Sequence, residues 1–456
     1  MPYNIKDIST VKVAGELLAF LHLPSTMTAP TPNDIKAFTI AICGGGIAGL
    51  SLAIGLLKNN VPFHLYEAAH AFAEVGAGVS FGPNSLRAMK LTDPKIREAY
   101  EKINTQNAFH SKKHTWFDLY AGMDCGFGKA GEQIAEVRDN QGVGQSSVHR
   151  AAFLDELVAL VPKEHVTFGK RVINVEELAV GVRLRFEDGG IANASAAIGC
   201  DGVKSNLRRI VLGEHDEAAH ASFTGKYAYR GLIPMDKAVG LLGDEKARNS
   251  LMWTGVHGHV LTFPIEHGEC MNVVAFRTKS NGKWENERWV LPMDKEGMEN
   301  DFANWGESVK KILSLMEKPD VWALFDFPPA RTYYKGRTCL SGDAAHASTP
   351  HQGAGAGMAL EDAFIMSSLL GAVQGEGEIE KAFDAFDWVR RPRTQKLVTT
   401  SRECGQMYEC EGPGIGDDPH ALRENLSTRF DWIWEKHLED DLEDAMNILQ
   451  GKGESN

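Results

Sequence analysis

Long hydrophobic runs, paired cysteines and an excess of positive charge are all missing from this chain of 456 residues. No apolar stretch reaches the roughly 20 residues that a membrane-spanning helix needs, so no membrane span is expected. The seven cysteines, Cys43, Cys125, Cys200, Cys270, Cys339, Cys404 and Cys410, are scattered, odd in number and never arranged as CxxC. That excludes a disulfide framework or a zinc knuckle as the organising device and makes the reduced cytoplasm the expected location. A formal net charge of -13 argues against a nucleic-acid partner, because phosphate-backbone binders concentrate Lys and Arg. No basic segment precedes the apolar stretch 11–23, and Glu16 interrupts it, so a signal peptide is not indicated. Thr26 to Pro32 reads as a linker, and Met27 stands just before the first strong pattern. Residues 1–35 are therefore expected to be an N-terminal extension. The length fits about two or three domains.

What is present is concentrated at residues 37–49. Phe38 to Cys43 is a β-branched and apolar run that predicts a buried parallel strand. It leads at once into Gly44-x-Gly46-x-x-Gly49 and then a helical pattern, Leu50 to Leu57. Gly44 allows a tight turn, Gly46 lets a pyrophosphate approach the backbone, and Gly49 lets helix and strand pack closely. The helix N-terminus adds free N–H groups and the positive end of its dipole. A second apolar run, Val61 to Tyr66, ends in Glu67, about 20 residues on, where a ribose-binding carboxylate belongs. The pattern predicts a dinucleotide site.

Further along, Glu74-Val75-Gly76-Ala77-Gly78-Val79 suggests close backbone approach to a ligand at Gly78, or equally a glycine-rich turn. Arg150 opens an amphipathic helix, where the dipole favours acids, so it is a candidate for meeting an anion; a solvated arginine competes with that reading. Asp188-Gly189-Gly190 predicts a hairpin, with Ala196 to Cys200 as the strand returning into Asp201-Gly202. Residues 222–276 are strand-rich and largely antiparallel in pattern, followed by a helix near 305–316. Short strand Thr338 to Leu340 then runs into Ser341-Gly342-Asp343-Ala344-Ala345-His346, with Pro350-x-x-Gly353-x-Gly355 before a long helix. His346 and His351 are not spaced to share a helical face, and no acid or cysteine completes a metal set around them, so no metal is expected.

Three stretches together resemble the single-component FAD-dependent aromatic hydroxylases, the class A monooxygenases with a para-hydroxybenzoate hydroxylase-like fold. They are the Gly44–Gly49 loop with Glu67, the Asp201-Gly202-x-x-Ser205-x-x-Arg208 stretch, and the Gly342-Asp343 stretch through Gly355. Within the class the chain is most similar to fungal salicylate hydroxylase-like enzymes that dearomatise polyketide phenols. The resemblance implies an α/β architecture: a Rossmann-type FAD-binding domain (36–110, 148–220 and 331–375) interleaved with substrate-side segments (111–147 and 221–330) and followed by C-terminal helices (376–456). It implies bound FAD, transient NADPH, O2 and a small phenolic substrate, in a monomer or homodimer. A single GxGxxG leaves NADPH without a Rossmann site of its own, and the halogenase signature Trp-x-Trp-x-Ile-Pro is absent. The implied chemistry is hydroxylation through a flavin C4a-hydroperoxide, here of a resorcinol-type aldehyde with oxidative dearomatisation. Decarboxylative hydroxylation of a salicylate is the nearest alternative, and a flavoprotein reductase the alternative of another class.

By that resemblance Glu67 binds the adenosine ribose, Arg150 the phosphates or ribityl region, and Asp343 the ribityl hydroxyls. Asp201 supports both FAD and NADPH. The helix start at Gly353, Gly355 and Ala356 stabilises the reduced flavin anion. A phenolate also needs a cation beside it. Arg230, in an apolar strand, is the candidate, with a structural ion pair as its rival. The family's orienting tyrosine has a phenylalanine, Phe263, at one plausible position, and Tyr120 is the candidate to supply the hydroxyl from another wall, against a merely packed aromatic.

Overall fold

The computed structural model describes residues 36–71, 78–279, 281–292, 294–316 and 320–452. The expected N-terminal extension and Glu74 to Ala77 lie outside the described residues. Two sheets carry the fold. The first is six-stranded, in the order Tyr334–Lys335, Thr338–Leu340, Ala196–Gly199, Ile40–Cys43, Phe63–Tyr66, Val166–Thr167. All its pairs are parallel except the one at Tyr334–Lys335. Every residue of Ile40–Cys43 and of Ala196–Gly199 is buried, as a strand covered on both faces requires. Helix Ile47–Lys58 packs on helix Gly355–Ala372, closely enough that a Cβ on Gly55 would lie 2.5 Å from the Ser367 hydroxyl.

The hairpin at Gly189 forms, but it returns through Ile191–Ala194, which alternates exposed and half-buried residues, and not through Ala196–Gly199. The run Ala-Ala-Ile-Gly is apolar on both sides, so it enters the parallel sheet beside Ile40–Cys43 instead. A small three-stranded sheet, Val172–Glu177, Val182–Phe186 and Ile191–Ala194, results, and its inward residues join the same core.

The second sheet has eight strands, in the order Val290–Leu291, Asp320–Asp326, Ser222–Pro234, Cys270–Thr278, Gly258–Ile265, Leu251–Gly255, Thr115–Ala121, Gln133–Arg138. It is antiparallel except where Leu251–Gly255 runs alongside Thr115–Ala121. Its two faces differ. One packs on helices Met235–Leu242 and Glu307–Leu315 through Tyr229, Trp253, Val260 and Ala275. The other meets the start of helix Gly355–Ala372 through Leu119, Met252 and Leu261. Helix Ile379–Tyr408, 30 residues long, ties the sheets together: Phe383 and Phe386 sit in the core of the first, Leu397, Cys404 and Tyr408 in that of the second. Among the described residues no helix is long and apolar enough to cross a membrane.

Candidate functional site

The loop between strand Ile40–Cys43 and helix Ile47–Lys58 forms one wall of a groove of about 280 Å³. Gly44 sits at φ +111°, and a Cβ there would lie 2.3 Å from the Cys200 carbonyl oxygen. Gly46 faces open space, and no side chain caps the helix it precedes. Gly49 does not line the groove. A Cβ on it would collide with the Gly44 carbonyl at 2.0 Å, so its part is to let the helix approach the loop. Glu67, at the end of Phe63–Tyr66, accepts from the Gly45 and Ala69 N–H groups at 2.6 and 2.7 Å, which fixes its carboxylate at the rim. Arg150, Asp201, Asp343 and Ala356 line the same groove. Four segments far apart in sequence thus converge where the parallel strands end, the place an open α/β sheet offers to a ligand. The sequence reading missed three further cations in the lining, Lys170, Arg171 and Lys204. The adjacent Lys170 and Arg171 before a strand were the available signal.

The polar groups behind the groove hold it in shape. Asp201 accepts from the Ser205 hydroxyl and from the Asn206 and Leu207 N–H groups, so it caps helix Asn206–Leu212; burial pushes its carboxyl above the usual range while those bonds oppose the rise. Arg208, fully buried, donates to the carbonyls of Ala218, Ala344, Ala345 and Pro328. It fastens the Asp201 stretch to the Asp343 stretch, and burial lowers its pKa to about 10. His346 bonds Asp362 at 2.7 Å. Gly353 adopts φ +62° before helix Gly355–Ala372, whose first turn contains no acid. Gly353, Gly355 and Gly78 lie outside the groove lining. Gly78 approaches the second sheet, where a Cβ would meet the Phe263 ring at 2.6 Å.

Strand register sorts the two catalytic candidates. Arg230 is opposite Val274, which is opposite Leu261, then Met252 and Leu119. Directly paired residues point to the same side of a sheet, so Arg230 shares the face that meets helix Gly355–Ala372. The row below holds Leu232, Asn272 and Phe263, and the row above Ala228, Phe276 and His259. The Arg230 guanidinium carbon lies 4.6 Å from the centre of the Trp322 ring. Tyr120 belongs to the other register, with Trp253, Val260, Ala275 and Tyr229. Its ring lies tilted against Trp253, 5.1 Å centre to centre, beneath Lys246, and faces the outer helices. The expectation that Tyr120 supplies the hydroxyl to the Arg230-bound phenolate from another wall is therefore corrected: pleat parity puts the two on opposite faces of one sheet.

Sequence reading also missed a buried cluster on the Arg230 face. His259 Nδ1 contacts Glu409 at 3.0 Å, Lys226 pairs with the same carboxylate, and His351 lies 5.2 Å from His259 ring to ring. His259, His351 and Glu409 each offer an atom within 4.8 Å of the others. Both Glu409 oxygens are already used, however, one by His259 and the other by Lys226 and Thr278, and a second cation would meet the Lys226 ammonium. The members are far apart in the chain, which leaves no local motif to read.

With this geometry in hand, comparison with known proteins is informative. Residues 315–401 match the family model described as an FAD binding domain. The chain is 44% identical over 416 residues to 6-methylsalicylate 1-monooxygenase of Aspergillus terreus, covering 90% of this chain and 92% of that protein. It is 40% identical over 425 residues to a salicylate hydroxylase of Pseudomonas putida, covering 91% and 96%. The solved structure of a salicylate hydroxylase substrate complex matches with a TM-score of 0.80 at 37% identity, over 90% of this chain and 98% of that one.

Proposed function

The chain belongs to the FAD-dependent monooxygenases of the salicylate hydroxylase type, and from that premise we propose that it hydroxylates a phenol carrying an ortho carbonyl group. FAD and O2 with NAD(P)H supply the oxidising chemistry, the bound flavin activating oxygen for transfer of one atom. The groove's lining suits the cofactor: the uncapped helix start at Gly46 would take the pyrophosphate, Glu67 the ribose, Arg150 the phosphates or ribityl region, and Asp343 the ribityl hydroxyls. An alanine at Gly44 would have to adopt a strained φ against the Cys200 carbonyl, at about 1–3 kcal/mol. Gly44→Ala is expected to bind FAD about ten- to a hundredfold more weakly, read as flavin retained per chain after purification; full retention would remove the loop from the site.

The observation that carries the substrate reading is Arg230 on the apolar wall made with Val274, Leu261 and Ala228, beside Phe263 and His259. A cation there lowers the pKa of a phenol hydroxyl and holds the ring as phenolate, and the apolar neighbours exclude water from the reacting carbon. Two substrates fit. The relatives, a 6-methylsalicylate monooxygenase and a salicylate hydroxylase, favour a salicylate, hydroxylated with loss of CO2. A resorcinol-type aldehyde, hydroxylated with dearomatisation, carries no carboxylate and so needs no second cation, and Lys226, a neighbouring cation of that face, is already held by Glu409.

NADPH oxidation by the purified holoenzyme, with and without salicylates and 2,4-dihydroxybenzaldehydes, separates them when the products are weighed. Gain of one oxygen with loss of CO2 supports the salicylate; gain of one oxygen alone supports the aldehyde. Oxidation stimulated by neither, with no oxygenated product, overturns the hydroxylase reading.

A further inference from the structure

Two cysteines outside the groove lining, Cys125 and Cys410, meet at the edge of the second sheet. Cys125 stands in the turn between strands Thr115–Ala121 and Gln133–Arg138. Its N–H donates to the Gly128 carbonyl at 3.1 Å, and the Gly128 N–H donates back at 3.0 Å, so the turn is closed at both ends. Cys410 is the second residue past helix Ile379–Tyr408, at φ +62°, a conformation that non-glycine residues rarely adopt. The segment that follows it lies on the Cys125 turn: Gly412 bridges Gly416, and a Cβ on Gly126 would come 2.2 Å from a carboxylate oxygen of Asp417. Both thiols are free and half-buried, and both pack on the core that holds Phe127, Tyr408 and Leu422. Each is the other's side-chain partner, the Cys410 S–H donating toward the Cys125 sulfur.

We propose that Cys125 and Cys410 are a modification site at which hydrogen peroxide forms an intramolecular disulfide, Cys125 being the attacking thiol and Cys410 the resolving one. The Cys125 thiolate attacks one peroxide oxygen. The S–O bond forms as the O–O bond breaks, and the departing hydroxide takes up a proton to become water. The Cys410 sulfur then attacks the Cys125 sulfur. The S–S bond forms as the S–O bond breaks, and the second hydroxide leaves with the Cys410 proton as water. Two electrons pass from the thiol pair to the peroxide in all. Flavin monooxygenase chemistry supplies the oxidant, because O2 that takes two electrons from NAD(P)H without transferring an oxygen leaves as hydrogen peroxide. The site thus stands with the monooxygenase family and not with any one phenol.

The contact between the thiols suits them to these roles. The Cys410 hydrogen bond outweighs burial and lowers the Cys125 pKa to about 7, with the Phe127 and Gly128 N–H groups assisting and Asp417 opposing. The same bond raises Cys410, and burial, Asp417 and Glu411 raise it further, so it remains a thiol until Cys125 has been oxidised. Thiolate is the form that attacks peroxide. The remaining cysteines compete poorly: Cys43, Cys200, Cys339 and Cys404 are buried, and burial with Glu266 pushes Cys270 up to about 11.

The test treats reduced, desalted holoenzyme with hydrogen peroxide and maps its peptides without reductant. A species joining Cys125 to Cys410, two hydrogens lighter than the separate peptides and reopened by dithiothreitol, is expected to dominate. No such cross-link, or oxidation falling first on another cysteine, overturns the site. In Cys410→Ser a hydroxyl still donates to Cys125 but nothing resolves it, so dimedone is expected to trap a sulfenic acid on Cys125. In Cys125→Ser the remaining Cys410 should stay unlabelled, and equal labelling of the two variants overturns the proposal. Should either variant not fold, iodoacetamide on the wild-type enzyme at neutral pH decides. Cys125 is expected to alkylate at least about tenfold faster than Cys270, and equal rates overturn the proposal.

Discussion

Arg390→Met should destabilise the protein by about 3–5 kcal/mol, the cost of leaving buried charge without its partner. Arg390 is fully buried between Glu361 and Asp362, 2.8 Å from each, with both acids equally buried. Arg393 also holds Glu361, and His346 also holds Asp362, so four segments meet there: the Gly342–His346 turn, helix Gly355–Ala372, helix Ile379–Tyr408 and, through Asn84, helix Pro83–Thr92. Methionine fills much of the volume but cannot neutralise the two carboxylates. A fall in the denaturant midpoint with an unchanged slope measures the effect, and a loss under 1 kcal/mol would show that Arg393 and His346 suffice.

The same cluster fixes the acid limit. Burial raises the Glu361 pKa, but the charges of Arg393 and Arg390 outweigh it and hold it at about 2, and Asp362 is depressed likewise. A carboxylate depressed on folding contributes stability that is complete above its unfolded pKa, about 4.5 for Glu. That contribution is lost as the pH falls from there through about 2. Wild-type protein should therefore lose stability steeply across that window, and Arg390→Met should do so less steeply.

The parts legible in the sequence were those whose chemistry is local. A strand, three glycines, a helix and an acid at the end of the next strand are adjacent in the chain, and the groove they form is where that spacing put it. Arg150 was legible from one misfit, a cation in a first helical turn, and it does line the groove. Tyr120 was not legible. Whether it faces Arg230 depends on the register of five strands, from Thr115–Ala121 through to Ser222–Pro234. No pattern within strand Thr115–Ala121 reveals that parity, because both of its faces are buried. The His259–Glu409 contact joins residues 150 positions apart, and Lys226–Glu409 joins residues 183 apart, so each side chain alone reads as an ordinary buried or surface group.

Arg230→Gln should lower kcat/KM for the preferred phenol by about 10²–10³, or about 3–4 kcal/mol of lost stabilisation, the range for removing one member of a desolvated charge pair. The glutamine retains a donor but no charge, so a bound phenol would ionise only near its solution pKa. The loss should accordingly shrink as the pH is raised toward that value, and Arg230→Lys should recover much of the rate by restoring the cation. A structural role gives a different profile. Arg230 also covers the Trp322 ring, and if that stacking were its whole function, Arg230→Gln would lower stability and activity together at every pH, while lysine, which lacks the planar guanidinium, would rescue little. Flavin content provides the control, since Arg230 lies outside the groove lining and both variants should retain FAD fully. Loss of rate with full flavin, recovery at high pH and rescue by lysine would together assign the charge of Arg230 to the phenolate. A pH-independent loss would return Arg230 to the structural role of an arginine packed on its sheet.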